Sequence, residues 1–234
     1  MVEMVNKNTM SLKASKTCFR QPGADFWGHA LSKDGHCSAL YNLTPIKEMV
    51  APSDVSELRH VLGLIVQHKD NIPMWAFDAH PLHNLTRKDM PWNWSEECDA
   101  AFESIRSAWL NNSILAAPDY TKPFCVAGDA SDDGKGVQLY QLIDPSAPDM
   151  IANRATIAYY SKVWSNSMAK RPPYYKEADI LITALNLAQP YADASPFPNT
   201  AYTDHAPLQW IKTAAKGPVM GWHIENLNGM DYVV

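Results

Sequence analysis

The sequence of 234 residues predicts an α/β fold. Three observations point there. Residues 123–161 hold three short apolar, β-prone runs. A helical stripe follows over Tyr174–Gln189, and a fourth strand-like run, Thr200–Thr203, comes after it. A meander of three strands, then a helix, then one more strand is the pattern of a mixed sheet with flanking helices.

The segments before this region predict something different. Asp25–Gly35 reads as a short hairpin, with Lys33-Asp34-Gly35 as its turn. Tyr41–Met49 reads as a short helix. Ser53 is the expected N-cap of a better one, in which Val55, Leu58, Val61, Leu62 and Ile65 recur at helical spacing. Pro73 ends that unit. Phe77–Lys88 reads as a further helix, Pro91–Trp94 as a loop, and Ser95 as the cap of a helix running to about Leu110. Residues 38–118 are therefore expected to be mainly helical.

The first strand of the α/β region is Phe124–Ala127, and Asp129 stands at its end. An Asp/Gly-rich turn, Ala130–Gly136, leads into the second strand, Val137–Leu142. Ala155–Ser161 is the third. Ala178, Leu181, Ile182, Leu185 and Ala188 share a face of the long helix, with Glu177 expected in its first turn. Leu208–Thr213 and Val219–Leu227 read as further helices.

Composition narrows the class. Apolar residues make up 46% and charged residues 19%, which is globular. No apolar run is long enough for a transmembrane helix, so no membrane association is expected. Met1–Lys7 lacks the apolar stretch of a secretory leader. Four widely spaced cysteines, with no Cys-x-x-Cys pair, predict reduced thiols in the cytoplasm or nucleus. The net charge of −5 argues against a strongly basic nucleic-acid binder but leaves room for a carboxylate-rich nuclease.

The candidate chemistry rests on three carboxylates. Asp129 and Asp204 each follow a strand, and Glu177 lies on the helix between them. Sites collect at the carboxyl ends of strands in α/β sheets. Converging carboxylates repel unless cations sit between them, and hard oxygen donors suit Mg²⁺. Two such ions about 4 Å apart would activate water and stabilise a leaving phosphodiester oxygen. The pair His80-x-x-His83 lacks a third ligand nearby and reads as a solvated helix face. The tryptophans, Trp92 and Trp94 among them, read as core residues more than as base-stacking platforms.

These segments together resemble a known family. The motifs are Asp129-Ala130-Ser131 with Gly134-x-Gly136 and Gln141, Ile157–Ser161, Tyr174-x-x-Glu177 with Ala184-Leu185, and Tyr202–His205 with Leu208. They are similar to the ribonuclease H domain of gypsy-type long-terminal-repeat retrotransposon reverse transcriptases. Upstream, Phe26–His29 with Ser32-x-Asp34-Gly35 resembles the end of that family's palm. Val55–Leu64, Ile72-Pro73, Pro81–Leu85 and Trp94–Phe102 resemble its thumb and connection. The resemblance implies three regions: a palm-end hairpin over 1–37, a helical thumb/connection over 38–118, and a ribonuclease H-like domain over 119–234.

It also implies hydrolysis of the RNA strand of RNA–DNA hybrids, with two Mg²⁺ (or Mn²⁺) ions held by Asp129, Glu177 and Asp204. His205 belongs to the motif without being an established ligand. Tyr159, Lys162, Lys176 and Lys212 are candidate contacts to substrate phosphates, though surface lysines are ordinarily just solvated. Expected partners are the hybrid itself and a protein partner or the polymerase portion of a parent polyprotein. The polymerase motif Tyr-x-Asp-Asp is absent from the sequence, so template copying is not expected. Asp231 stands where the family has a strand residue, and its fourth catalytic Asp has no counterpart here, so weakened activity is expected. The alternative is a non-catalytic ribonuclease H-like scaffold that binds nucleic acid or protein.

Overall fold

The computed structural model describes residue 13 and residues 21–39, 46–111, 114–197, 199–202 and 232–233. A first sheet is built from β1 (Gly23–Phe26), β2 (His29–Ser32), β3 (Gly35–Ser38) and β4 (Leu115–Ala116), antiparallel and in that order. Trp27 (φ 48°) and Gly28 (φ 83°) form the left-handed two-residue turn between β1 and β2. Gly35 (φ 137°) has no side chain because the Leu115 carbonyl of β4 lies where a Cβ would be. The expected single hairpin is thus three strands, closed by a fourth from about 80 residues downstream, a pairing that no local pattern encodes.

Helices α1 (Val55–Val66), α2 (Trp75–Asp78), α3 (His80–Leu85) and α4 (Glu96–Leu110) follow. They share a core that includes Leu58, Leu62, Ile65, Leu82, Phe102, Ile105 and Trp109. Two details differ from expectation. The cap of α1 is Asp54, whose Oδ1 accepts the Glu57 N–H at 2.8 Å, while Ser53 donates to the Glu57 carboxylate. The region 77–88 is two short helices: α2, entered from a left-handed Met74 (φ 59°), closes at Ala79, and Pro81 at the start of α3 has no N–H with which to continue its hydrogen-bond ladder. Of the helix expected at 41–49, only residues 46–47 are described as helical; residues 41–45 lie outside the described residues, as do 208–213 and 219–227.

The second sheet has the order β7-β6-β5-β8-β9. It comprises β5 (Cys125–Ala130), β6 (Gly134–Leu142), β7 (Arg154–Val163), β8 (Asn199–Tyr202) and β9 (Tyr232–Val233). β5, β6 and β7 pair antiparallel, while β8 joins β5 in parallel with Ala127 opposite Tyr202. Between them, α5 (Asn166–Ala169) precedes α6 (Pro173–Ala192), which covers one face of the sheet. Ile180, Leu181, Ala184, Leu185 and Ala188 of α6 pack on Val126, Val137, Leu139 and Ile157. The contact is close because residue 128 is glycine; a Cβ there would collide with Ile180. The other face carries α2. Met74 sits over Gly136, Phe77 over Gly134, and the Ala76 N–H donates to Ser161 Oγ at 2.9 Å.

Candidate metal centre and nucleic-acid interface

The direction of α6 decides what the sheet can assemble. Phe124, just before β5, meets Tyr191 near the end of α6, ring centroids 5.8 Å apart. Beyond the other end of β5, Lys176 Nζ lies 3.9 Å from Asp132 Oδ1. The helix therefore runs antiparallel to β5, and its first turns lie over the strand's carboxyl end. Asp129 is the penultimate residue of β5, and Glu177 lies one turn before Ile180, the residue that packs on Gly128. Both carboxylates stand at the same end of the sheet.

They approach that end from different sides. Side chains alternate along a strand. Gly128 faces α6, so Asp129 faces away from it, towards the side covered by α2. There it borders a cleft of about 310 Å³ with Met74, Phe77, Gln138, Arg154 and Tyr159. Glu177 is half-buried on the α6 side and is the fifth residue of its helix. That corrects the expected first-turn position. Pro173 starts the helix one residue earlier than Tyr174, as its fixed φ favours. Asp204, His205 and Lys212 lie outside the described residues.

The turn after Asp129 is held firmly. Ser131 Oγ accepts from the Gly134 and Asp133 N–H groups at 3.2 and 3.3 Å, and the Ser131 N–H donates to the Gly134 carbonyl at 2.9 Å. Buried Trp164 donates its indole N–H to the Ser131 carbonyl at 2.9 Å, tying the turn to the end of β7. The opposite end of β5 is structural. Arg154 pairs with Asp149 at 2.6 Å and stacks its guanidinium 4.3 Å over Tyr140. Burial and the Asp149 charge push the Cys125 thiol up to about 11, which leaves it inert as a nucleophile.

Of the candidate phosphate contacts, Tyr159 lines the Asp129 cleft. Lys162 is exposed beside a second cleft of about 320 Å³ at the same end of the sheet, together with Arg171, Ser165 and Ser167. Lys176 is buried, 8% exposed, unlike an ordinary solvated lysine. Sequence reasoning missed Lys135, its partner Asp179, and Arg171 here. Lys135 is buried on the α6 face of β6, where it pairs with Asp179 at 2.5 Å and also bonds Thr183. Arg171 stacks 5.6 Å from the Tyr175 ring centre. The alternation of β6 could have assigned Lys135 to the buried face; nothing local marks its partner, 44 residues away.

Among the described residues, no three His, Cys, Asp or Glu side chains form a group that could hold a metal ion. The two described members of the expected set are hard-oxygen donors, the chemistry that suits Mg²⁺. One neighbouring lysine, Lys135, is already neutralised by Asp179. No helix among the described residues is long and apolar enough to cross a membrane.

Comparison with known proteins agrees with this architecture. Residues 94–198 match the family described as the RNase H-like domain found in reverse transcriptase. The Tf2-3 and Tf2-4 transposon polyproteins of Schizosaccharomyces pombe are 26% identical over 207 residues, covering 88% of this chain and 15% of each polyprotein. The foamy viral protease-reverse transcriptase in complex with RNA/DNA hybrid superposes with a TM-score of 0.69 at 20% identity, over 94% of this chain and 30% of that one. Its complex with double-stranded DNA gives the same TM-score at 21% identity, over 89% of this chain and 43% of that one. The chain thus spans a minor part of the length of each relative. Residues 94–198 form an RNase H-like domain of the reverse-transcriptase type, and the chain as a whole resembles the reverse transcriptase/ribonuclease H region of retrotransposon polyproteins.

Proposed function

We propose that this chain binds RNA–DNA hybrid and hydrolyses its RNA strand with two divalent cations, Mg²⁺ or Mn²⁺. Asp129, Glu177 and Asp204 would hold them. The observation that carries this reading is the antiparallel course of α6, which brings Glu177 to the strand end that bears Asp129. Asp204 follows Tyr202 by two residues, as Asp129 follows Ala127, and those two residues are register partners. Bound cations would supply an activated water and charge stabilisation for the leaving oxygen.

The chain's own groups supply position. The Ser131 turn and its Trp164 tether fix the strand end. Lys162 and Arg171 give the second cleft two cationic heads at that end, suited to a backbone phosphate. Arg171 is pre-oriented by Tyr175, and its planar fork matches phosphate geometry. The hybrid-bound and DNA-bound foamy viral relatives support nucleic acid as the partner. Attachment to a polymerase portion within a parent polyprotein fits the 15% coverage of the transposon relatives.

The test is a labelled RNA–DNA hybrid incubated with the chain in Mg²⁺ and in Mn²⁺. RNA-strand cleavage is expected, with a loss of at least about a hundredfold in Asp129→Asn. Arg171→Ala should weaken hybrid binding and flatten its salt dependence by about one contact. Binding without cleavage in either metal would favour a non-catalytic scaffold. Cleavage unaffected by Asp129→Asn would overturn the site.

A further inference from the structure

The first sheet meets the helical unit through three histidines. In the antiparallel register His29 lies opposite Ser38 and Leu31 opposite His36, so His29, His36 and Ser38 share a face. That face meets His68, which follows α1, and Trp109 of α4. His29 lies 4.6 Å from His68 and 5.7 Å from His36, ring centre to ring centre, and His68 lies 5.0 Å from Trp109. His68 is 2% exposed. The Trp109 indole donates to Ser38 Oγ at 2.7 Å, and Ser38 Oγ lies 3.0 Å from His68 Nδ1. The indole and the imidazole thus meet at one hydroxyl, which can donate to a neutral His68 Nδ1 while it accepts from Trp109. His29 Nδ1 is buried with no hydrogen-bond partner.

We propose that this histidine cluster forms a proton-sensitive latch, closed while His36 and His68 are neutral, that releases the β1–β3 sheet from the helical unit when they take up protons. A proton on His68 Nδ1 would turn Ser38's acceptor into a second donor. A charge on His36 or on His68 would sit within about 6 Å of the His29 ring in a poorly solvated junction. Burial and His29 both work against protonation of His68 and of His36. Asp70, in the turn after His68, is the carboxylate that acts the other way on His36, and its pull is the smallest of the three influences there. The latch is independent of the proposed nuclease site.

Hydrogen exchange read by mass spectrometry and corrected for intrinsic rates tests it, at about pH 7.5 and about pH 5. Protection of residues 29–38 should fall at least about tenfold on acidification, while that of α6 changes less than about threefold. His68→Gln, neutral at both pH values, should remove most of that difference. His36→Gln should halve it or better, and serves if the first variant does not fold. A pH-independent β2–β3, an equal loss in α6, or an unchanged response in a folded variant would overturn the proposal.

Discussion

Gly128→Ala probes the close approach of α6 to β5 that places Glu177 beside the Asp129 end. A Cβ at 128 would overlap Ile180 Cγ2 far inside van der Waals contact, with the Gly136 carbonyl and Val137 Cγ2 at 3.3 and 3.4 Å closing the escape. Ile180 is 3% exposed and surrounded by core, so either it leaves its rotamer or the helix lifts. Overpacking of this kind costs about 1–3 kcal/mol, or a melting shift of roughly 2–10 °C downward in a chain of this size. Gly63→Ala is the matched control. Gly63 lies mid-helix in α1 with nothing within 4 Å of the new methyl group, so it should stabilise by about 0.5–1 kcal/mol. Urea unfolding of both variants, followed by far-ultraviolet dichroism, gives the comparison. Equal and small effects of the two changes would refute the packing argument, because the same Gly→Ala chemistry would then be indifferent to where α6 lies.

Lys135→Met should cost about 2–4 kcal/mol in the same assay, because it leaves Asp179 and Thr183 facing the sheet without their ammonium partner; the double change with Asp179→Leu should recover at least half. Asp54→Ala removes the cap of α1 and should cost about 1 kcal/mol, whereas Ser53→Ala should cost less, and the reverse order would contradict the capping geometry. Stability should also fall in mild acid. Burial holds His68 down at about 4, against an ordinary value of 6.5, so the folded state binds fewer protons than the unfolded one. Its contribution is complete above about pH 6.5 and is lost as pH drops towards 4. Denaturant midpoints measured across that window should decline, and by less in His68→Gln.

Local pattern made the second sheet and its helix legible. The strand runs at 137–142 and 155–161 each lie within an observed strand, the run at 124–127 overlaps β5 from Cys125 on, and Tyr174–Gln189 falls inside α6. What was hidden depends on distant partners. β4 completes a sheet begun at residue 23, and α2 packs on the back of β6 and β7 through Met74 and Phe77. Lys176 reads as a solvated lysine until the hairpin turn and α6 close around it. Asp129 and Glu177 were legible as residue types at strand and helix ends. Their arrival from opposite sides of β5 was not, because it follows from Gly128 facing Ile180.

The account turns on whether those carboxylates meet at one metal site. Fe²⁺ substituted for Mg²⁺, with ascorbate and peroxide added, cuts the backbone close to where the ion is held. Cuts near Asp129, Glu177 and Asp204, all suppressed by excess Mg²⁺ and all lost together in Asp129→Asn, are the predicted result. Cuts confined to one of these segments, or a pattern indifferent to Mg²⁺ and to Asp129→Asn, would contradict it.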